Sequence, residues 1–349
     1  MTLQSSYRNA LLFVVLAAIW GSAFTAIKIG LDYFPPVMYA AFRYELATPI
    51  MIGYMLVSAD RWRPRTTGEW LNIVASGVFI YAGYHAFLFV GQQYTTSTVA
   101  AIIVSIIPVL TVGFARVFLP SERLTVVGFL GVGLSFGGVI LVIGPSSLGA
   151  VEFTSCGELL ILACAVSYAL GSVVTQRYQI SLSLTTRQAW AMGLGARLLH
   201  LTSGALGEST AAVHWTPEAV GVLVYLVVGP SVIGFLLYFT LHDRLGSIEA
   251  NLIAYADPVF AAVFGWVLLG ERTGVLTAIG FLVIFVGFLL VKRDEFVDEL
   301  RVLDPAGSRD RRNHVLQLPS FTQQPRATYK TEQQIYTGAD EYKRLEFND

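Results

Sequence analysis

Four ionisable side chains interrupt long apolar stretches of the chain, and their chemistry is the first guide to function. Glu45, Arg197, Glu249 and Asp257 each lie within an apolar run. A charge at the centre of a bilayer costs about 2.5–3.5 kcal/mol on insertion scales, so each needs a partner, a wet cavity or a function. An ion pair of Glu45 with Arg197 or with Arg43 is one interpretation; binding of a substrate or a proton is the other. Because a carboxylate in a low-dielectric environment binds protons more tightly, Glu45 and Asp257 are the candidates for proton uptake.

Polar and aromatic residues recur at helical spacing, which predicts helix faces that line a cavity. Tyr81, Tyr84 and His85 follow the i, i+3, i+4 pattern of one face. The alternative for these tyrosines is a belt at the membrane surface, but His85 lies too deep in its run for that explanation alone. Asn251 and Tyr255, at i and i+4, define a second face. Both faces are predicted to bind a small molecule.

Pro108 and Pro258 fall in the middle of apolar runs. Each proline removes a backbone hydrogen bond and frees a carbonyl. A static kink tolerated by neighbouring helices is one interpretation. Since the two prolines occupy matching positions, a hinge is favoured.

Motifs of other function classes are weak in the sequence. There is no HExxH, the five histidines are scattered, and the one G-x-S-x-G (Gly133 to Gly137) lies inside the predicted span 124–143 rather than between a strand and a helix. The two cysteines exclude a disulfide scaffold and a Cys-based metal cluster. A formal net charge of −1 argues against a nucleic-acid partner. The chain is therefore predicted not to be an enzyme and to hold no metal or cofactor.

The elements that position these residues are long apolar segments. The chain is 54% hydrophobic and 13% charged, too apolar for a soluble globular protein. The first segment follows Arg8 without a cleavage site, so a retained span is predicted. We therefore expect an all-α polytopic membrane protein with ten transmembrane helices. The predicted spans are 10–31, 37–57, 70–90, 97–118, 124–143, 157–177, 187–206, 219–241, 247–269 and 274–291.

An internal repeat relates the two halves of the chain. STVAAIIVSIIPVLTVGFARVFLPSER (Ser97 to Arg123) matches SIEANLIAYADPVFAAVFGWVLLGER (Ser247 to Arg272), including the Glu122/Glu271 pair. These two glutamates lie in tight turns, and each is predicted to cap the helix that follows it. Each copy has five spans, an odd number, so the copies are predicted to be inverted five-helix repeats, which is typical of transporters.

The distribution of basic residues predicts the orientation. Arginine and lysine residues concentrate at both termini and at the even-numbered turns, which places both termini in the cytoplasm. The predicted organisation is a first repeat (1–143), an external loop (144–156), a second repeat (157–292) and a charged, disordered cytoplasmic tail (293–349).

These features resemble one known family. WGSAFTAIKIGLDYFPPVMYAAFRY (Trp20 to Tyr44), the proline-containing spans ending in LPSER and LLGER, and the glycine-rich spans after them are similar to the EamA branch of the drug/metabolite transporter superfamily. The resemblance extends over about residues 10–291. It implies transport, and it implies that Lys28 and Arg43 contribute to the substrate site.

The resemblance and the repeat together predict one central substrate site. Its walls are aromatic with a few hydroxyl and amide groups, typical of a small-molecule pocket. The predicted substrate-binding residues are Trp20, Phe24, Lys28, Arg43, Tyr81, Tyr84, His85, Ser105, Tyr168, Ser172, Tyr238, Asn251 and Tyr255.

The expected function is secondary transport of a small amphiphilic metabolite, such as an amino acid or a drug-like compound, across the cell membrane by alternating access. Export or exchange is the expected mode. The alternatives are a receptor or scaffold that signals through its tail, and a sugar-phosphate or nucleotide exchanger of the same superfamily. Glycines in the fifth and tenth spans predict close helix packing, with a homodimer left open.

Overall fold

The computed structural model describes residues 3–118, 126–143, 154–178, 180–245 and 252–293, and none of these residues forms a strand. The predicted all-α class is confirmed for this part of the chain. Its helices are α1 (Leu3–Gly30), α2 (Pro36–Ser58), α3 (Thr67–Gln92), α4 (Ser97–Phe118), α5 (Val126–Ile143), α6 (Thr154–Gln176), α7 (Leu184–Ala205), α8 (Pro217–Leu245), α9 (Ile253–Leu269) and α10 (Val275–Val291).

Several of these helices are suited to a membrane. Among the described residues, α1, α3, α4, α6 and α8 are long and apolar enough to cross a bilayer, and α5, α9 and α10 are shorter apolar helices. The helices α2 and α7 belong to neither group. Each predicted span thus corresponds to a helix, while the number that cross the membrane stays a prediction.

Helices of the first half pack against helices of the second half. The pairs α2 with α7, α4 with α9 and α5 with α10 join counterparts in the two repeats. The helix α1 packs against α9, and its counterpart α6 packs against α4. Likewise α3 packs against α6, and its counterpart α8 packs against α1. If every helix in these pairs is exchanged for its counterpart in the other repeat, the same set of packed pairs results. This is expected for two copies of one unit.

Glycines allow α5 and α10 to approach closely. A Cβ atom added at Gly138 would lie 2.7 Å from the carbonyl oxygen of Gly280, and one added at Gly287 would lie 2.6 Å from that of Gly131. Any larger residue would push the helices apart. The predicted close packing of these glycines therefore occurs within the chain.

Both α3 and α8 contain a π-helical segment at the same place in their repeats. The segments are Ser76–Gly83 and Val227–Ile233. Pro230 lies inside the second and has no N–H to continue an α-helical ladder. Well under 1% of residues in globular proteins are π-helical, and such segments are frequent at functional sites. Because each repeat contains such a segment, we expect a functional site beside the two segments.

A carboxylate of the second half caps a helix of the first. Glu208, after α7, accepts hydrogen bonds from the backbone N–H groups of Val37 and Met38 at 3.0 and 2.7 Å. These N–H groups open α2, whose N-cap residue Pro35 makes no side-chain cap. The first N–H groups of a helix have no acceptor within that helix, and the Glu208 carboxylate supplies one for α2. The contact also joins the start of α2 to the end of α7.

The end of α9 has a specific geometry. Gly270 adopts φ 66°, a left-handed conformation that favours glycine. Its N–H donates to the carbonyl of Trp266, and the Glu271 N–H donates to that of Gly265. The bond from Gly270 to Trp266 is that of an αL motif, which ends the helix at this glycine.

Glu271 follows directly after this turn, and its side chain contacts another helix. Its carboxylate accepts hydrogen bonds from the backbone N–H and the hydroxyl of Ser97, each at 2.8 Å, and from the hydroxyl of Thr98 at 3.1 Å. Glu271 thus caps α4. The prediction that it caps the following helix is wrong, because its carboxylate binds α4, and α10 begins at Val275 with an N-cap residue, Gly274, that makes no side-chain cap. Its counterpart Glu122 lies outside the described residues.

Candidate functional site

A cavity lies between the two halves, beside both π-helical segments. The space open to the centres of water-sized molecules is about 170 Å³. On this measure a single water needs roughly 10–15 Å³, so a small organic molecule fits. The lining residues are Trp20, Ala23, Phe24, Ile27, Arg43, Tyr44, Ile80, Tyr81, Tyr84, His85, Leu88, Val104, Ile107, Pro108, Tyr168, Gln188, Pro230, Phe235, Tyr238, Ile253, Ala254 and Asp257.

Arg43 is the cationic side chain of the cavity. Its Nε donates to the Ser231 hydroxyl at 2.7 Å, and that hydroxyl donates to the carbonyl of Leu226 at 2.9 Å. Ser231 lies in the π-helical segment of α8. Arg43 is only 5% exposed, yet its two terminal amino groups have no hydrogen-bond partner among the described residues. An anionic group in the cavity would supply that partner.

His85 is held by two residues that also line the cavity. Its Nδ1 lies 2.9 Å from the carbonyl oxygen of Tyr81, and its Nε2 lies 2.5 Å from the Tyr44 hydroxyl. Because a carbonyl only accepts, Nδ1 carries a proton, and in the neutral ring Nε2 accepts from Tyr44. Tyr81 in turn donates to Gln188 Oε1 at 2.8 Å. This chain of bonds holds three aromatic walls in fixed orientations.

Asp257 is the carboxylate of the cavity. It lies on α9 immediately before Pro258. Its Oδ1 is buried without a hydrogen-bond partner, and no ion pair joins it to another described residue. An unpaired buried carboxylate is costly, so it either binds a proton or meets a cationic or hydrogen-bonding group of a ligand.

Aromatic pairs complete the walls. Trp20 donates from Nε1 to the carbonyl of Pro230 at 3.2 Å, and its ring lies 5.4 Å from that of Tyr238. The carbonyl is in the π-helical segment of α8, so the proline and the irregular helix present an acceptor to Trp20. The rings of Tyr84 and Tyr168, which also line the cavity, are 5.4 Å apart. The lining of the cavity therefore contains two pairs of packed aromatic rings.

The structure brings many of the predicted residues together. Their place in the cavity agrees with the helix faces inferred from spacing, while their role in binding stays a prediction. The predicted residues that line the cavity are Trp20, Phe24, Arg43, Tyr81, Tyr84, His85, Pro108, Tyr168, Tyr238 and Asp257.

Other predicted binding residues lie away from the cavity lining. Lys28 donates to the carbonyl of Gln92 at 2.7 Å and so satisfies the end of α3. Ser105 is buried and donates to the carbonyl of Ile102. Ser172 lies on α6 but is not part of the lining.

The face of α9 differs from the predicted one. Tyr255 packs on Phe288 of α10, with ring centroids 4.5 Å apart, and Pro258 is likewise buried away from the cavity. The helix presents Asp257 to the cavity instead, because the aromatic ring is taken up by packing against α10. Asn251 and Glu249 lie outside the described residues.

Glu45 and Arg197 do not form the anticipated ion pair. Glu45 Oε2 lies 2.9 Å from His200 Nε2, on the outer surface of the α2–α7 pair. Arg43 turns the opposite way, into the cavity. Neighbouring residues on one helix therefore face different environments, and Glu45 is not a cavity residue.

Sequence reasoning did not identify several lining residues. Gln188 is the polar example, and because it directly follows Thr186 and Arg187 near the start of α7, its amide carries no distinct signal. Tyr44 lies next to Arg43, and in that stretch of sequence the charge of Arg43 is the stronger signal. Phe235, Ile27 and Leu88 carry no such signal, because in a membrane helix they resemble lipid-facing residues.

Comparisons with known proteins agree on the class of protein. The model of the EamA-like transporter family matches residues 8–144 and again residues 155–293. An uncharacterized transporter of Archaeoglobus fulgidus is 27% identical over 289 residues, covering 81% of this chain and 96% of the relative. The uncharacterized inner membrane transporter YedA of Escherichia coli K12 is 27% identical over 286 residues, covering 81% and 90%. A crystal structure with 22% sequence identity superposes with a TM-score of 0.58, covering 82% of this chain and 97% of that one, and supports the fold alone.

Proposed function

Because the chain belongs to the EamA-like transporter family, we propose that it moves a small amphiphilic metabolite across the cytoplasmic membrane as a secondary transporter. The substrate class is an amino acid or a related compound with an apolar side chain. Export or exchange by alternating access is the proposed mode.

The observation behind this proposal is the pair of opposite charges in the cavity, neither of which forms an ion pair with another described residue. Arg43 belongs to the first half and Asp257 to the second, and each has free hydrogen-bonding capacity. A zwitterion would place its carboxylate at the guanidinium and its ammonium group at the carboxylate. The aromatic walls around Trp20 and Tyr84 would take up the apolar part of the molecule.

The charges also argue against a phosphorylated cargo. A sugar phosphate or nucleotide favours a clamp of several basic groups. Arg43 is the one arginine or lysine in the lining of this cavity as the described residues form it, since Lys28 binds backbone carbonyls and Arg197 is exposed. A single guanidinium suits a carboxylate better.

Alternating access requires elements that bend. The π-helical segments of α3 and α8, and the prolines Pro108 and Pro258, occupy paired positions in the two halves. Irregular backbone of this kind is tolerated in membrane proteins where it is buried or lines a cavity. We assign these positions as the hinges of the transport cycle.

Binding followed by counterflow tests the proposal. The purified protein is screened by thermal shift against amino acids, sugar phosphates and amphiphilic drugs, and each hit is tested for counterflow in proteoliposomes. Saturable counterflow of a zwitterion is expected. Binding without flux would indicate a receptor, flux without saturation would indicate a channel, and selective binding of a sugar phosphate would overturn the proposed substrate class.

A further inference from the structure

A patch of charged side chains lies on the outer surface of the α2–α7 pair, away from the cavity. The Oε2 of Glu45 and the Nε2 of His200 lie 2.9 Å apart, and their side chains are 58% and 38% exposed. Arg197, one helical turn before His200, is exposed and has no ion-pair or hydrogen-bond partner among the described residues. Leu46 and Leu201 flank these groups and are exposed as well.

With the predicted spans 37–57 and 187–206, the patch lies at the depth of the hydrocarbon layer. From Pro36, where α2 begins, to Glu45 the helix axis rises about 14 Å at ~1.5 Å per residue. From Arg197 to Ala205, where α7 ends, the rise is about 12 Å. These two helix ends are adjacent, because Glu208 after α7 binds the first N–H groups of α2. Glu45 and Arg197 are therefore at nearly one level, well below the headgroups.

Charged groups at this depth are covered in membrane proteins rather than left facing lipid. A lipid headgroup does not reach so far from the helix ends, and an anionic one would meet Glu45 as well as Arg197. The covering surface must supply both a cation and an anion at the same level. A second copy of this chain has both.

We propose that the patch of Glu45, Arg197 and His200 is the contact between two copies of the chain, related by a two-fold axis along the membrane normal. Such an axis keeps every residue at its own depth, so Glu45 of one copy faces the partner's Arg197, and the reverse pair forms at the same time. The interface is isologous, with one patch serving both subunits. The unpartnered guanidinium gains a carboxylate, and the half-exposed Glu45–His200 pair is shielded from lipid.

Cysteine cross-linking in membranes tests where the copies meet. Leu46→Cys and Leu201→Cys are made in a background in which Cys156 and Cys164 are replaced by Ser and Ala. The matched controls are Val267→Cys on α9 and Ile140→Cys on α5, both exposed and apolar. The Ile140 control also covers the side of α5 where Gly133 and Gly137 have open space. Cross-linked dimers are expected at Leu46 or Leu201 alone; dimers only at Ile140 or Val267, or none at all, would overturn the proposal.

Charge reversal tests the pairing itself. In lipid nanodiscs E45R and R197E are each expected to reduce dimerisation at least tenfold, and the combined E45R/R197E variant is expected to restore it. Size-exclusion profiles confirm that each variant is folded, and R197Q, which adds no new charge, gives the same expected loss should E45R prove unstable. Dimers that persist in R197Q and R197E refute the contact. The contact is also refuted if the wild-type protein is monomeric and its native mass spectrum shows a bound anionic lipid that is lost in R197E.

Discussion

Arg43 and Ser231 are hydrogen-bonded across the boundary between the two halves, with Nε and Oγ 2.7 Å apart. The single hydroxyl proton of Ser231 is already donated to Leu226, so the serine only accepts from Arg43. The guanidinium is thereby fixed at Nε, and its terminal amino groups have no hydrogen-bond partner among the described residues. Pre-organisation of this kind improves binding because the side chain is already ordered.

Removing that hydrogen bond is expected to weaken binding of a carboxylate. Ser231→Ala leaves Arg43 free to rotate away from the cavity, and we expect the Kd of a carboxylate ligand to rise about tenfold, or ~1.4 kcal/mol. Ser231→Thr keeps the hydroxyl and should restore most of the affinity. Thr202→Val is the control, since that exposed hydroxyl bonds only to its own helix. Isothermal titration checks all three, and unchanged affinity in Ser231→Ala would show that the serine does not position Arg43.

The two charges of the cavity are expected to recognise different ends of one molecule. Phenylalanine, 3-phenylpropanoate and phenethylamine share the ring but carry both charges, the carboxylate alone and the ammonium group alone. We expect D257N to lower phenylalanine affinity at least tenfold without changing that for 3-phenylpropanoate. R43Q is expected to spare phenethylamine and weaken the other two. The control E45Q should leave all three unchanged, because Glu45 lies outside the cavity. Equal losses for all ligands in both variants would contradict the assignment.

Glu271 is expected to contribute to the stability of the whole protein. In Glu271→Gln one oxygen is replaced by a donor and the charge is lost, so the N–H and hydroxyl groups of Ser97 and Thr98 lose acceptors. Hydrogen bonds to charged groups contribute about 1.5–3 kcal/mol, and we expect a thermal midpoint several degrees lower. Glu218→Gln, an exposed carboxylate in the first turn of α8, should change the midpoint little. Similar midpoints for the two variants would show that the cap is dispensable.

Two glycines on one helix are expected to respond oppositely to the same substitution. Gly138→Ala places a methyl group 2.7 Å from the carbonyl of Gly280 and should destabilise the protein by about 1–3 kcal/mol. Gly133→Ala meets no atom within 4 Å and should be neutral or stabilising by a few tenths of a kcal/mol to ~1 kcal/mol, because alanine favours a helix. Thermal unfolding of the purified variants measures both. A stable Gly138→Ala protein would mean that α5 and α10 have room to separate.

Sequence reasoning predicted the features that depend on local pattern. The apolar runs located the helices because length and composition determine where a helix can cross hydrocarbon. The spacing of Tyr81, Tyr84 and His85 placed them on one face because helical periodicity is independent of the neighbours.

Features that depend on packing were not predictable in this way. Asp257 rather than Tyr255 faces the cavity, since α10 provides a better surface for the tyrosine ring. His200, which the sequence did not suggest, rather than Arg197 reaches Glu45, and these two residues are one helical turn apart on α7. The alignment of two packed helices relative to each other determines which side chains meet. This alignment cannot be recognised in a single sequence. Glu271 shows the same limit, because its partner helix lies far away in the chain.

That separation has a consequence for synthesis. Glu271 follows Ser97 by 174 residues, and translation at about 5–20 residues per second takes on the order of ten to thirty seconds to reach it. During that interval the start of α4 is already made but has no carboxylate to accept its N–H groups, and α2 waits similarly for Glu208. A nascent chain halted after the first repeat would therefore emerge from the ribosome with two unfinished helix ends. We expect quality-control proteases of the membrane to remove such a fragment quickly, and simultaneous production of the second repeat as a separate chain to protect it.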